Sequence, residues 1–202
     1  TFNSNKQKTE ASELFRKAYV LARSDHQDFY TVDAAHMLGI SEPLEKQLEW
    51  NLIAVDVAAQ SDDPKAKKWL GSLYNNIGWT YHSSGEFDKA LDMFEKALAF
   101  RETKEDESAI MIAKWCIART HRSLNNLAQA IEIQTGLLQE AESKGLDPDG
   151  YVYEEMGECL LASGKTVEAK PYFKTAHELL SKDSWLVANE SQRLERLKTL
   201  GE

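Results

Sequence analysis

The sequence predicts an all-α chain assembled from consecutive antiparallel helix pairs. Three observations carry that expectation. Apolar residues recur at i, i+3, i+4 and i+7 through most of the chain, the spacing that puts them on one helical face. Only 4 prolines and 10 glycines occur in 202 residues, which suits long helices joined by short turns. The alanine that opens the second-helix signature also recurs at a nearly fixed interval: Ala90 to Ala130 is 40 residues and Ala130 to Ala169 is 39. Self-similarity at such a period marks a repeat architecture, in which each unit buries its apolar face against the next.

The stretch Gly71–Arg101 shows the pattern in full. Tyr74, Ile77, Gly78 and Tyr81 share one face of a first helix, and Ala90, Phe94 and Ala97 share one face of a second. Ser83, Ser84 and Gly85 form the turn between them. Small residues at Gly78, Ala90 and Ala97 let two backbones approach, while Tyr74, Tyr81, Phe87 and Phe94 fill the surrounding space. The series Tyr74, Gly78, Tyr81, Gly85, Ala90, Phe94, Ala97 resembles the tetratricopeptide repeat (TPR), a helix-turn-helix unit usually 34 residues long. The resemblance extends over roughly residues 3–183. Its period near 40 is similar to that of longer-helix TPR variants found in cargo adaptors and bacterial regulators. It implies a TPR-like superhelical solenoid ending in a C-terminal capping helix.

Taken in order, the chain opens on a second-helix signature, Ala11, Phe15 and Ala18, with almost nothing before it. Asn3–Lys8 reads as the turn and Thr1-Phe2 as the end of an absent first helix. Residues 1–25 are therefore expected to be a half unit of a longer repeat protein. Residues 26–61 form the least regular pair. A helix over Gln27–Leu38 ends near Gly39, and a second, entered through Ser41 and Pro43, uses Leu48, Leu52 and Val55 at the signature positions. Residues 62–104 begin at Asp63-Pro64, a cap followed by a first-turn proline, and predict one helix from Pro64 to Ser83 and another from Glu86 to Arg101. Residues 105–145 carry Ala118 and His121 in place of Gly78 and Tyr81, with Ala130, Gln134 and Leu137 behind. The acidic run Glu102–Glu107 reads as a solvated helix start. Residues 146–183 start at Asp147-Pro148 and carry Tyr153, Met156, Gly157, Leu160, Gly164, Ala169, Phe173 and Ala176; Pro171 predicts a bend or a late helix start. In residues 184–202, Trp185, Leu186 and Val187 are expected to plug the stack. A capping box at Asn189–Gln192 would lead into a last helix bearing Leu194, Leu197 and Leu200.

Composition narrows the function. A net charge of −9 without a basic tract argues against nucleic acid and against anionic membranes. No apolar run is long enough to span a bilayer, and the polar N-terminus lacks a signal-peptide core. Cys116 and Cys159 sit inside helices and outside any CxxC, as small buried hydrophobes of a reducing, cytoplasmic compartment. Neither HExxH, nor a nucleophile elbow, nor a phosphate loop occurs, so neither an enzyme nor a cofactor is expected. Asp33 and His36, at i and i+3, read as a polar contact on a helix surface.

The resemblance implies that ligands lie along the first helices of successive units, whose off-core positions form three stripes. These are Asn75, Trp79 and His82, then Trp115, Arg119 and Arg122, then Glu154, Glu158 and Leu161, with Asn76 and Tyr151 beside them. Trp and Arg are common anchors of binding surfaces. The expected ligand is an extended peptide or partner helix, its backbone held by Asn75 and Asn76. Arg119 and Arg122 would meet an acidic group, and Glu154, Glu155 and Glu158 a basic one. The bland alternatives are that Trp79 and Trp115 are packed between units and that the arginines pair with Glu154 or Glu158. The family's dicarboxylate clamp needs Lys and Asn at the positions here occupied by Asn75 and Trp79, and Lys and Arg at Tyr151 and Glu155, so chaperone-tail binding is not expected. A non-catalytic scaffold is the favoured function. A ligand- or peptide-sensing module of a larger regulator is the alternative, and self-association through the N-terminal half unit a third.

Overall fold

The computed structural model describes residues 8–146 and 149–202. Among these residues all regular structure is helical. The chain divides into two compact units, residues 1–110 and 111–202.

In the first unit, α1 (Lys8–Ser24) packs on α2 (Asp28–Ser41), and α2 pairs with α3 (Leu44–Gln60). A short α4 (Pro64–Lys67) leads into α5 (Leu70–Ser83), which pairs with α6 (Phe87–Glu102) and also packs on α3. The expected helix from Pro64 to Ser83 is thus broken at Lys68-Trp69, where the Trp69 N–H reaches Ala66 O instead of a residue a full turn back. Asp63 caps α4 by accepting from the Lys65 N–H at 2.8 Å, as its sequence predicts.

Close approach of paired helices rests on missing side chains. A Cβ on Gly78 would lie 2.6 Å from the fully buried Phe94 ring. In the α2–α3 pair the same device uses different residues: a Cβ on Gly39 would lie 2.7 Å from Asn51, which is itself buried. Asn51, Ala54 and Ala58 are therefore the core positions of α3, whereas Leu52 is 44% exposed. This corrects the expected register, because short side chains at Gly39, Ala54 and Ala58 settle the packing where no aromatic is present. On α1, Ala11 is buried and Phe15 half-buried, but Ala18 faces solvent together with Leu14 and Leu21. The expected turn and helix end before Lys8 lie outside the described residues.

The second unit contains most of α7 (Glu107–Ser123), followed by α8 (Leu127–Lys144), α9 (Gly150–Ala162), α10 (Thr166–Leu180), α11 (Ser184–Asn189) and α12 (Ser191–Gly201). The acidic run is mainly the bend after α6. Asp106 caps the following helix by accepting from the Ala109 N–H, and only Glu107 lies in its first turn. Asp149 caps α9 through the Tyr151 N–H; the expected start at Asp147-Pro148 lies outside the described residues.

Gly157 repeats the Gly78 arrangement, with Phe173 atoms 2.9 Å from a would-be Cβ. The α8 counterpart of the two phenylalanines is Gln134, which is fully buried with neither amide atom partnered. Pro171 does not delay α10, which runs unbroken from Thr166. The helix tolerates it because Pro171 and Val167, whose carbonyl loses a donor, are both exposed to water.

At the C-terminal end, Leu186, Leu194 and Leu197 join Phe173 and Leu180 in one core. Trp185 and Val187 are exposed, correcting the expected plug to Leu186 alone. The expected capping box does not form at α12, because Asn189 closes α11 and its amide donates to the Trp185 carbonyl at 2.9 Å. Asp183 is the cap here, accepting from the Trp185 and Leu186 N–H groups at the start of α11.

Two glycine substitutions should separate packing from propensity. Gly78→Ala must displace Phe94 and should cost about 1–3 kcal/mol in chemical denaturation. Gly136→Ala, in the interior of α8 with open space around the added methyl, should stabilise by about 0.5–1 kcal/mol.

Candidate functional site

The predicted binding residues fall on two faces, one in each unit. In the second unit, α9 presents its stripe to neighbours that answer its charges. Glu155 is 1% exposed and accepts from Arg122 Nε at 2.5 Å and Nη2 at 3.1 Å, with Arg119 Nη1 at 3.5 Å. Glu154 meets Arg193 of α12 through two nitrogens, at 2.9 and 2.5 Å, and Glu158 meets Arg196. The basic groups expected from a ligand are therefore present within the chain, on α12. The hydrogen bonds from Glu154 and Glu190 raise the Arg193 pKa, so its charge is fixed.

Aromatic rings follow the same pairing. Trp115 Nε1 donates to the Tyr151 carbonyl at 3.1 Å, the Arg119 guanidinium lies 5.5 Å from the Trp115 ring, and that of Arg193 lies 5.2 Å from the Tyr151 ring. Sequence pattern placed the arginines and glutamates on facing stripes. The choice of Glu155 rather than Glu154 or Glu158 as the arginines' partner depends on helix register, which pattern does not supply.

In the first unit, Asn75, Asn76, Trp79 and His82 lie half-buried along α5. Trp79 sets an edge against the buried Phe94 at 5.1 Å and against His82 at 5.2 Å, and His82 continues to Phe87 at 5.0 Å. The same stripe runs back past Ser72 to Trp69, which sequence reasoning passed over. The Trp69 ring packs against His36 of α2 at a tilt of 48°, with ring centroids 4.9 Å apart. Burial holds the His36 imidazole below its ordinary pKa, against the upward pull of Asp33 and the nearby Asn51 side chain, so it is neutral near pH 7. Next to this pair a hollow of about 300 Å³ is lined by Phe29, Lys65, Lys68, Trp69 and Ser72. The available signal was the run Pro64–Trp69, three lysines and a tryptophan in a chain of net charge −9.

The cysteines are free and buried. Burial, followed by the adjacent Glu155, pushes the Cys159 thiol up to about 12. Among the described residues no cluster of metal-ligating side chains occurs, and no helix is long and apolar enough to cross a membrane.

With this geometry in place the comparisons are decisive for the fold. Residues 72–104 match the tetratricopeptide repeat family. That stretch, α5 and α6, is a tetratricopeptide repeat. The fold of the chain resembles the nearly identical TPR-like repeats of a Podosopora anserina protein described as a kinesin light chain, with a TM-score of 0.69 at 16% identity over 90% of both chains. BtubC (BKLC) from P. vanneervenii has a TM-score of 0.70 at 18% identity, covering 88% of this chain and 74% of that one. The uncharacterized protein ycf37 of Guillardia theta is 29% identical over 118 residues, 58% of this chain and 60% of that protein. The aligned region thus spans less than two thirds of that relative. TPR folds generally mediate protein–protein interaction.

Two outcomes follow from the second unit. Arg122→Ala leaves the buried Glu155 carboxylate without its principal partner and should cost about 3 kcal/mol, read from denaturation midpoints. Arg122→Met combined with Glu155→Leu should recover most of that loss. Ellman's reagent at mildly alkaline pH should label Cys159 only as the protein unfolds, because so little thiolate forms in the native state.

Proposed function

We propose that this TPR protein is a non-catalytic interaction module that holds an extended peptide or partner helix on the face of α2 and α5. The observation that supports it is the asymmetry between the two units. In the second, the charged groups on α9 are neutralised by α7 and α12. In the first, Tyr30 is 59% exposed, Ser72 and two lysines face solvent, and Phe29 and Trp69 are half-buried around an open hollow. Aromatic side chains half-withdrawn from water beside flexible donors suit a protein ligand. Asn75, Asn76, Trp79 and His82 continue this face along α5. Trp115, Arg119, Arg122, Tyr151, Glu154 and Glu158 form the corresponding face of the second unit, whose internal ion pairs leave it a rigid, supporting role.

Photo-crosslinking tests the assignment. Benzoylphenylalanine in place of Ser72, on this face, should yield a discrete adduct in lysate of the source organism. The same group in place of Glu95, exposed on α6, should not. Equal labelling from both positions, or none from Ser72, would remove this face from consideration.

A further inference from the structure

Beside the turn between α2 and α3 lies a hollow of about 530 Å³ built largely of polar groups. Ser12, Glu13 and Arg16 of α1 line it together with Ser41, Glu42 and Gln47. Ser12, Ser41 and Glu42 are buried. Glu42 differs from the other buried carboxylates among the described residues, Glu154 and Glu155. Arg193 reaches both oxygens of Glu154, and Arg122 reaches both oxygens of Glu155. Glu42 receives Arg16 Nε at 3.1 Å and Nη2 at 2.7 Å, and both fall on Oε1. Its Oε2 accepts from no described residue. Arg16 is held from its other side by Trp50, whose ring centroid lies 5.7 Å from the guanidinium carbon. A carboxylate taken out of water needs donors on both oxygens.

The neighbouring groups have already given their hydrogens away. Ser12 Oγ donates to Ser41 Oγ at 3.1 Å, and Ser41 Oγ donates to the Met37 carbonyl at 2.8 Å. Gln47 Nε2 donates to the Glu42 carbonyl at 2.9 Å. What remains is mainly acceptor capacity: Glu42 Oε2, the Ser12 hydroxyl oxygen and the exposed Glu13 carboxylate. The unspent donors, Arg16 Nη1 and the Thr9 hydroxyl, belong to exposed residues.

We propose that this hollow binds a small aliphatic polyamine, one primary ammonium donating to Glu42 Oε2 and Ser12 Oγ while a second cationic group meets Glu13. The site shares no lining residue with the peptide face described above and does not rest on it. An ammonium carries three donors and no acceptor, which is what the hollow lacks. A guanidinium fits less well, because its bidentate fork needs both oxygens of one carboxylate and Oε1 is taken. The Arg16 charge on the same carboxylate opposes a divalent cation, and no cluster of three metal-ligating side chains occurs among the described residues. The net charge of −9 draws polycations toward the chain.

Isothermal titration calorimetry of the whole chain with cadaverine, near pH 7 and at low salt, tests this. Tetramethylammonium, a cation without N–H donors, and Mg²⁺ serve as competitors. The variants are Glu42→Gln, Glu13→Gln, Ser12→Ala and, as a control on α1 outside the hollow, Glu10→Gln. Circular dichroism checks that each is folded. The proposal expects a single saturable site with a dissociation constant below about 1 mM. Affinity should fall about tenfold or more in Glu42→Gln, several-fold in Glu13→Gln and in Ser12→Ala, and stay unchanged in Glu10→Gln. Where Glu42→Gln is unfolded, the other two variants decide the outcome. Tetramethylammonium should not compete. The absence of a saturable site, displacement of cadaverine by tetramethylammonium or by equimolar Mg²⁺, or an affinity unmoved by Glu13→Gln and Ser12→Ala would each overturn the proposal.

Discussion

The architecture depends on a contact defined by an absent atom. Phe94 and Phe173 each fill the space where Gly78 and Gly157 have no side chain, and the two helices of a pair approach until ring meets backbone. That contact fixes register along the pair. Once Phe94 is seated, Ala90 and Ala97 fall a turn to either side in full burial, and Tyr74 and Tyr81 are left to cover the flanks. Faces not consumed by this packing become the surfaces on which charge and aromatic groups can be arranged. Both the ion-paired stripe of α9 and the hollow before α5 are set out on helices whose rotation the glycine–phenylalanine contact determines.

Much of the fold was legible in the sequence because this contact has a one-residue signature on each side. Gly78 with Phe94 and Gly157 with Phe173 announce their helix pairs directly. Between residues 26 and 61 the same geometry is built from Gly39 and Asn51, and Asn51 carries no aromatic signal, so Leu52 was expected inside although it faces solvent. The break at Lys68-Trp69 was missed because Asp63-Pro64 is a strong start and nothing after it is a helix breaker. At the kink Trp69 packs against His36 of α2, a tertiary contact that local sequence does not announce. Pro171 misled in the opposite direction, since its cost depends on whether the bereaved carbonyl can reach water.

The candidate site was legible as a set of stripes but not as a pattern of partners. Spacing placed Arg119, Arg122, Glu154 and Glu158 on accessible faces. It could not show that Arg193 and Arg196, far along the chain, would arrive opposite the glutamates, or that Glu155 would receive both Arg119 and Arg122. Long-range charge pairing depends on topology, and local periodicity carries no information about it. The same limit hid the Trp69 hollow, whose walls come from α2, α4 and α5.

Gln134 stands where the other two pairs have phenylalanine, and its amide is buried with both polar atoms unmatched. A buried unmatched amide raises the free energy of the closed state without affecting the open one. That cost falls on α8 and is absent from the α9–α10 pair, which Gly157 and Phe173 lock and whose Glu154 and Glu158 pair with α12. The residue that weakens the repeat signature, Gln134, thus also carries an energetic cost that its phenylalanine counterparts do not.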